Sequence, residues 1–424
     1  MTSPALHRVH LGAFYPNDHY YTLWSKAPLG SQVEFVAFRH FAQSAERGLF
    51  DFVFLAEANW LQEHRGRVVE HAIMDKPDSL TVLAALAAET TRVGLVATIG
   101  TTFSDPYTVA RQLETLQALS GHRAGWNVVT SHTTFGVGAS TNFRPGRMVA
   151  HADRYRAAAA FLEGTWGFWG DHEKPVIVQA GGSDEGRALA AAHADVIFTG
   201  RRSLPESREF LTDLAARAAT HGRPAPKVLP STAFVLGDSQ ADADERAREW
   251  AQLEMTPAVA RFILEEVWGG DLTDFDVDGP LPGFDPDWKV ADAYTRGGVD
   301  GERDARTLIA RWRDLSEREH LSVRQLFGTV LARRDFVGTP LAVAEQINHW
   351  VQSRASDGFV VNPSVVPGVP GQPGGLDEFV DRVVPELQNM GVYPAEYAGE
   401  SLREHITGGD ARHDEPERHD DGDT

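Results

Sequence analysis

The chain has 424 residues, of which 42% are hydrophobic and 24% are charged, the composition of an ordinary folded globular protein. Its 60 acidic and 40 basic side chains give a formal net charge of −20, which argues against nucleic acid or an anionic membrane surface as a partner. The absence of cysteine excludes disulfides, thiolate nucleophiles and thiolate metal sites.

The two ends of the chain contain little that indicates targeting or folding. The N-terminus lacks a basic region followed by a long apolar core, and no apolar run reaches membrane-spanning length, so we expect a cytoplasmic protein. The last stretch reads GGDARHDEPERHDDGDT and has almost no apolar side chains to bury. We therefore predict one domain over residues 1–407 and a disordered acidic tail over residues 408–424.

Short apolar runs alternate with longer segments of helical period, the pattern of repeated β-α units on a parallel sheet. The predicted strands are His7–Phe14, Phe50–Glu57, Arg92–Thr101, His122–Ser131, Pro175–Gly182, Ala194–Gly200, Lys227–Gly237 and Gly358–Pro363. The predicted helices are Val33–Gly48, Ser79–Thr90, Pro106–Leu119, Ala150–Leu162, Ser183–His193, Pro205–His221 and Ala241–Trp268. Eight strands favour a closed (β/α)8 TIM barrel. The segment 269–303, rich in Asp, Gly and Pro, is interpreted as an insertion loop over one barrel face.

The fourth predicted strand is unlike a buried strand of a parallel sheet, which is normally a continuous run of Val, Ile and Leu. The stretch from Ser120 to Ser131 carries glycines, a tryptophan and polar side chains, and only Val128 and Val129 fit a core strand. Because glycine lets a flat ligand approach the backbone, this strand is predicted to face a ligand.

Polar residues also mark the ends of neighbouring strands. In a (β/α)8 barrel the C-terminal ends of the strands form the reactive face. Any one such residue could simply cap a loop, but their joint placement favours a site. The residues concerned are Glu57 after the second strand, Thr98, Thr101 and Thr102 in the third, and Asn127, Thr130 and Ser131 in the fourth.

The fifth strand runs through Gly181 and Gly182 into a helix that begins near Ser183. Free backbone N–H groups and the helix dipole at such a place favour an anion, although Ser183 is equally an ordinary N-cap. A serine-hydrolase elbow is disfavoured because Glu185 stands where its last glycine should be. His151 and Tyr155 lie four residues apart on a predicted helix and would share one face, offering two donors to a common partner. Spacing alone favours the alternative, in which they are an ordinary surface histidine and a half-buried tyrosine.

An acidic stretch in the predicted insertion, Asp274–Gly279, matches half of a calcium-binding EF-hand loop, with Asp285 at the twelfth position. The usual glutamate is absent there, Pro280 and Pro282 crowd the loop, and no clear helix leads out of it. The stretch is interpreted as a solvated acidic loop, and no metal site is predicted.

Taken together, these motifs resemble the flavin-dependent monooxygenases of the bacterial luciferase-like superfamily, in particular the group typified by nitrilotriacetate monooxygenase component A. The resemblance spans almost the whole chain apart from the tail. Its main segments are AERGLFDFVFLAE (45–57), LSGHRAGWNVVTS (119–131), NFRPG (142–146), HADRYRAA (151–158), PVIVQAGGSDEG (175–186), VGTPLAVAEQI (337–347) and VVPELQNMGVY (383–393).

The resemblance implies a luciferase-like barrel that holds FMN at its C-terminal mouth. The flavin-contacting positions of the family fall on Glu57, Thr98, His151, Tyr155 and Ser183, the last three at the phosphate end. We add Asn127 as a contact to the flavin ring or its ribityl chain. Glu57 stands where the family usually has Asp, which keeps the carboxylate and lengthens its reach. The candidates for contact with substrate are His19, Tyr20, Trp24 and His64, without an assigned proton transfer.

The implied activity is that of a two-component monooxygenase. A separate NAD(P)H-dependent flavin reductase would supply FMNH2, and O2 would oxygenate a small organic substrate next to N or S, typically followed by C–N or C–S cleavage. The resemblance also implies a homodimer or a homotetramer. The sequences of the loops do not identify the substrate.

Two alternatives remain open at this point. One is a deazaflavin-dependent oxidoreductase that transfers a hydride instead of oxygen. The other is a flavin-binding protein that has lost catalysis. This second alternative is motivated by the short stretch GTWGFWGDHEK before the fifth strand, where the family generally carries several dozen residues.

Overall fold

Eight parallel strands close into a barrel. The computed structural model describes residues 6–15, 23–24, 33–57, 63–64, 67–68, 77–130, 153–170, 172–200, 202–295, 299, 302–332, 334–366 and 372–408. The barrel strands are β1 (His10–Tyr15), β2 (Phe52–Leu55), β3 (Gly94–Gly100), β4 (Ala124–Val129), β5 (Val176–Ala180), β6 (Val196–Thr199), β7 (Lys227–Leu236) and β8 (Gly358–Asn362). Each strand pairs in parallel with the next, and β8 pairs with β1. The predicted (β/α)8 barrel is confirmed.

Helices follow the strands and cover the barrel. Each of the first six follows the strand of its own number: α1 (Phe35–Arg47), α2 (Ser79–Ala87), α3 (Pro106–Ser120), α4 (Arg154–Trp169), α5 (Asp184–His193) and α6 (Leu204–Thr220). Between β7 and β8 lie α7 (Gln240–Glu254), α8 (Pro257–Trp268), α9 (Trp288–Thr295), α10 (Ala305–Glu319), α11 (Val323–Val330), a short strand (Phe336–Gly338) and α12 (Pro340–Gln352). After β8 come α13 (Leu376–Arg382), α14 (Val384–Asn389) and α15 (Leu402–Thr407).

Local sequence sets the ends of these helices. In α3, for example, the Asp105 side chain accepts a hydrogen bond from the Thr108 backbone N–H at 3.1 Å, and Pro106 occupies the first turn. The helix ends at Gly121, whose φ of +65° is the left-handed conformation that glycine adopts without strain. The connection from α3 to β4 is therefore short and well defined.

The prediction of a single helix over Ala241–Trp268 is wrong. The segment forms two helices, α7 and α8, because Pro257 lacks the N–H that a continuous helix would need. Thr256 instead caps the second helix, and its Oγ1 accepts a hydrogen bond from the Val259 backbone N–H at 3.3 Å.

The segment 269–303, predicted as an insertion loop, contains the helix α9. Together with α8, α10 and α11, it builds a second apolar cluster apart from the barrel core, with Trp268, Trp312 and Phe327 among its buried members. The apolar faces of these helices are therefore buried against one another. The domain boundary predicted at residue 407 stays a prediction, and the predicted tail after Gly408 lies outside the described residues.

The barrel interior is filled with side chains. Phe14, Phe54 and Phe198 pack together, with ring centroids 5.1 Å apart for Phe14 and Phe54 and 5.5 Å apart for Phe54 and Phe198. Val96 and Val178 extend this cluster from β3 and β5. A filled interior makes the barrel a packed core rather than a pore, so a ligand must enter from one end.

The C-terminal helix α15 closes the N-terminal end of the barrel. Leu402 and Ile406 belong to the interior cluster, and the Leu402 backbone N–H donates to the carbonyl of His122 at 3.2 Å. A Cβ on Gly94 would lie 2.5 Å from Leu402 Cδ1, so this closure depends on a glycine in β3. Within the described ranges, no helix combines the length and the apolar character needed to cross a membrane.

Candidate functional site

Thr98 and Asn127 form a polar pair inside the C-terminal half of the barrel. They are register partners on β3 and β4, and Asn127 Nδ2 donates to Thr98 Oγ1 at 3.0 Å. The neighbouring Trp126 points outward, where its ring packs on Phe161 of α4 and its Nε1 donates to the carbonyl of Ile99. Because side chains alternate along a strand, Asn127 faces the interior.

The amide of Asn127 has one atom without a partner. Asn127 is only 2% exposed, and its Oδ1 makes no hydrogen bond within the described ranges. A buried carbonyl left without a donor costs roughly 1–3 kcal/mol, so a donor supplied by a ligand or a water molecule would stabilise it. This carbonyl oxygen is therefore suited to accept a hydrogen bond from a ligand.

Glu57 joins this group through Ser79. Its Oε2 accepts hydrogen bonds from the Ser79 backbone N–H at 3.0 Å and from Ser79 Oγ at 2.7 Å, at the first residue of α2. Ser79 Oγ also lies 3.3 Å from the carbonyl oxygen of Thr98. The carboxylate thus satisfies the start of a helix, where negative charge is favoured. Beside it lies a cavity of about 510 Å³, lined among others by Glu57, Thr98, Phe103, Asp105 and Thr108.

A second group lies where β5 leads into α5. Ser183 caps this helix: its Oγ accepts from the Gly186 backbone N–H at 3.1 Å and donates to the hydroxyl of Tyr155 on α4 at 3.4 Å. A Cβ on Gly186 would lie 3.3 Å from the Tyr155 hydroxyl. The small residues of this turn therefore leave the two hydroxyls open above the start of the helix, a favourable place for an anion.

These two groups stand at the ends of β2 to β5, where the family resemblance predicts the flavin site. The family model for the luciferase-like monooxygenase matches residues 19–357. This chain belongs to the luciferase-like monooxygenase family. The resemblance predicted from its motifs is confirmed.

Relatives of this luciferase-like monooxygenase cover nearly its whole length. It is 33% identical to nitrilotriacetate monooxygenase component A of Aminobacter aminovorans, over 86% of this chain and 88% of that protein. It is 31% identical to the N-acetyl-S-(2-succino)cysteine monooxygenase of Bacillus subtilis (strain 168), over 94% of this chain and 96% of that protein. The crystal structure of a riboflavin lyase with modified FMN and riboflavin superposes with a TM-score of 0.72 at 27% identity, over 95% of this chain and 96% of that one.

The remaining predicted site residues fall in less fully described parts of the monooxygenase. His19, Tyr20 and His151 lie outside the described residues. Trp24 and His64 lie in the two-residue strands Leu23–Trp24 and Glu63–His64, whose backbones pair with residues 365–366 and 67–68. The roles given to these five residues stay predictions.

Sequence reasoning missed a polar pair on the opposite side of the barrel mouth. Asn362 Nδ2 on β8 donates to Ser231 Oγ on β7, and Asn362 Oδ1, like Asn127 Oδ1, has no partner in the described part of the chain. Asn362 is 9% exposed. Its position at the end of the eighth predicted strand was the signal that could have revealed it, by the rule already applied to the second, third and fourth strands.

Arg202 is a second residue that sequence reasoning missed. It follows β6, and its Nη1 donates to Thr199 Oγ1 at 2.9 Å. It lies against the same glycine turn that leads to Ser183, since a Cβ on Gly182 would come within 2.2 Å of Arg202 Nη2. The polar residue Thr199 at the end of β6, followed closely by arginine, was the signal available in the sequence.

The acidic stretch of the predicted insertion is held by arginines. The Asp278 carboxylate pairs with Arg324 at 2.8 Å, and the Asp285 carboxylate pairs with Arg313 at 3.0 Å. Two of the carboxylates that an EF-hand-like loop would use therefore already have cationic partners in this structure.

Proposed function

We propose that this chain is the oxygenase component of an FMNH2-dependent two-component monooxygenase. The observation that carries the proposal is the buried Asn127 amide beside Thr98, whose Oδ1 lacks a donor among the described residues. A ligand that offers an N–H or O–H group to the barrel mouth would satisfy it, and a flavin ring with its ribityl chain offers both. The residues present therefore fit this cofactor.

Each group of the site has a distinct part in holding the flavin. Asn127 would accept a hydrogen bond from the ring or the ribityl chain, while Thr98 fixes the orientation of its amide. Tyr155 and Ser183 would donate to the phosphate from the start of α5. Glu57 binds the start of α2 through Ser79, next to the cavity, and its contact with the flavin stays a prediction.

When bound, reduced FMN supplies the electrons that activate O2. The protein's contribution is to keep water away and to place the substrate. The aromatic cluster of Phe14, Phe54 and Phe198 seals the barrel below the site, so solvent does not reach it from the N-terminal end. The Ser231–Asn362 pair faces the site from the other side and can orient a polar substrate.

The names of two relatives support a proposal for the substrate class. Their names denote a carboxylated amine, nitrilotriacetate, and a carboxylated thioether, N-acetyl-S-(2-succino)cysteine. We therefore propose oxygenation next to N or S in a small organic molecule, followed by C–N or C–S cleavage. A separate NAD(P)H-dependent reductase would supply FMNH2. Assembly as a homodimer or homotetramer stays a prediction that light scattering tests.

The test begins with an anaerobic titration of the purified protein with FMNH2. We expect saturable binding with one flavin per chain, and a failure to bind would overturn the proposal. With a flavin reductase, NADH and ¹⁸O₂, a panel of tertiary amines and thioethers should then yield a product that carries one ¹⁸O atom. Hydride exchange with a deazaflavin, without oxygen uptake, would instead support the oxidoreductase alternative.

A second candidate is a flavin-binding protein without catalysis. It is motivated by the short connection between α4, which ends at Trp169, and β5, which begins at Val176, where the family resemblance implies a longer segment. FMNH2 binding combined with oxygen consumption that no substrate of the panel converts into ¹⁸O-labelled product would support this candidate.

A further inference from the structure

The guanidinium of Arg202 fills the space beside the second glycine of the turn between β5 and α5. A Cβ on Gly182 would lie 2.2 Å from Arg202 Nη2 and 3.6 Å from Thr199 Oγ1. A side chain at position 182 would therefore displace the guanidinium from this turn. Position 182 is therefore suited to glycine because Arg202, which follows the neighbouring strand β6, occupies the space that a side chain would need.

Three contacts hold the guanidinium in this place. Its Nη1 donates to Thr199 Oγ1 at 2.9 Å and to the carbonyl of Gly200 at 3.4 Å, and its Cζ lies 4.2 Å from the ring centroid of Phe210 on α6. A cation over an aromatic face is weakly attracted to it, and the ring also restricts the rotamers of the arginine. The side chain is thus oriented in advance, while Nη2 lies against the turn.

The positive charge of Arg202 is not matched by a carboxylate. No ion pair joins it to an acidic side chain among the described residues, and Glu206, the acid whose charge acts on it, accepts hydrogen bonds from the backbone N–H and hydroxyl of Ser203. Asp213 pairs with Arg187 and Arg217, and Asp184 pairs with Arg217 at 2.6 Å. Burial and the charge of Arg187 lower the pKa of the Arg202 guanidinium below its ordinary value, although Glu206 acts in the opposite direction. An anion bound beside Arg202 would stabilise the charged form of its guanidinium.

The same turn presents neutral donors to such an anion. Ser183 and Tyr155 place their hydroxyls above the start of α5, and a Cβ on Gly181 would lie 3.6 Å from the Tyr155 hydroxyl. The first backbone N–H groups of a helix have no partners within the helix. A cation, two hydroxyls and a helix start therefore meet around one glycine turn.

We propose that Arg202 is the cationic ligand of the flavin phosphate and that it makes this chain select FMN over riboflavin. This inference rests on the proposed function and adds to it a residue and a selectivity. An arginine suits the role because its planar guanidinium can donate two parallel hydrogen bonds to phosphate oxygens. In a protein with a net charge of −20, a local cation is also needed to hold a dianionic group.

The experiment compares two ligands that differ only in the phosphate. Dissociation constants of FMNH2 and of reduced riboflavin are measured by anaerobic titration for the wild type, Arg202→Gln and Arg202→Lys. Because hydrogen bonds to charged groups contribute about 1.5–3 kcal/mol, Arg202→Gln should weaken FMNH2 binding roughly 10- to 100-fold. Riboflavin binding should change by less than about twofold, and Arg202→Lys should fall in between, since lysine keeps the charge but loses the fork.

Two further variants separate a local effect from a general one. Arg208→Gln removes an arginine from the same helix region, where its Nε donates to the carbonyl of Ser353, and it should leave both affinities unchanged. Gly182→Ala keeps the charge of Arg202 but displaces its guanidinium, and it should weaken FMNH2 alone. Inorganic phosphate should compete with FMNH2 in the wild type and leave riboflavin binding unaffected.

The outcomes are distinguishable. An equal loss of FMNH2 and riboflavin affinity in Arg202→Gln would mean that Arg202 only supports the fold, and unchanged FMNH2 affinity would likewise overturn the inference. A wild type that binds both flavins equally would overturn the selectivity. A wild type that binds no FMNH2 at all would contradict the proposed function itself. If Arg202→Gln does not fold, as judged by thermal melting, the Gly182→Ala variant and the phosphate competition still decide.

Discussion

Arg123 and Arg202 lie at opposite ends of the barrel, and the two guanidinium groups differ in the number of acceptors around them. Arg123, just before β4, is 3% exposed and donates five hydrogen bonds within the described chain, to carbonyls of Ser120, Val93, Ala87 and Thr90 and to Thr90 Oγ1. Arg202, just after β6, donates only two among the described residues, to the hydroxyl of Thr199 at 2.9 Å and to the carbonyl of Gly200 at 3.4 Å.

The same contrast holds for other polar groups at the two ends. At the N-terminal end, the buried carboxylate of Asp51 accepts from the Leu11 backbone N–H at 3.0 Å and contacts His10 and Arg8. At the C-terminal end, Asn127 and Asn362 keep a carbonyl oxygen without a partner in the described residues. The N-terminal end has exceptions of its own, because Arg8 Nε and His405 Nδ1 are also buried without a hydrogen-bond partner among the described residues.

This difference reflects the separate roles of the two ends of the barrel. In (β/α)8 barrels the N-terminal face supports stability and the C-terminal face carries the site. Saturated groups stabilise the folded chain on their own, whereas the Asn127 and Asn362 carbonyl oxygens at the mouth would gain a donor when a ligand binds. Substitutions at the N-terminal end should therefore change the free energy of unfolding. Substitutions at the C-terminal end should change the affinity for flavin.

The largest effect is expected for Arg123→Met. Several buried carbonyls would lose their donor at once, and since each costs roughly 1–3 kcal/mol, the free energy of unfolding should fall by about 3 kcal/mol or more. Urea denaturation followed by fluorescence measures this loss. Arg92→Met is the matched control: Arg92 pairs with Glu400 on the surface, where an ion pair contributes about 0–1 kcal/mol. Equal losses in the two variants would contradict the contrast between the ends.

Much of the barrel could be predicted from sequence because each strand carries its own signal. Apolar runs separated by helical periods gave all eight barrel strands to within a few residues. The grouping of Glu57, Thr98 and Asn127 also followed from one rule, that polar residues at the ends of neighbouring strands meet at one face. Both inferences depend only on local pattern and on the closure of the barrel.

The parts that were missed depend on tertiary placement. Arg202 reaches the turn before Ser183 only because β5 and β6 are neighbours, and nothing near Ser183 in the sequence indicates this approach. The partner of Asn362 likewise depends on the register between β7 and β8. The division at Pro257 was visible in the sequence, but the continuous helical period on both sides obscured it.

A smaller effect, of the opposite kind, is expected for Asn127→Leu. Leucine has a similar size and removes an amide whose Oδ1 has no partner, so stability without flavin should be kept or slightly raised. The affinity for FMNH2 should fall at least about tenfold, or about 1.4 kcal/mol. Thermal melting with and without FMNH2 measures both quantities in one series.

Asn348→Leu is the control for this substitution. Asn348 on α12 also has a buried Oδ1 without a partner within the described ranges, but it lies on a helix outside the barrel strands. Its replacement should leave the affinity for FMNH2 unchanged. If Asn127→Leu destabilised the protein as much as Arg123→Met and left flavin affinity intact, the division between the two ends would be wrong.

The smallest effect concerns the pH dependence of the N-terminal end. Burial alone would raise the pKa of Asp51, but the charge and hydrogen bond of His10 and the charge of Arg8 outweigh it, so the pKa lies below its ordinary value. A carboxylate of this kind stabilises the fold above its unfolded-state pKa of about 3.9, and this contribution is lost as the pH falls through the folded-state pKa. The melting temperatures of wild type and Asp51→Asn should therefore converge as the pH falls below about 4, where Asp51 becomes protonated first in the unfolded and then in the folded protein. Flavin affinity should be the same in both proteins, because Asp51 lies at the closed end; a difference in melting temperature that kept growing below about pH 4 would reverse the sign of this argument.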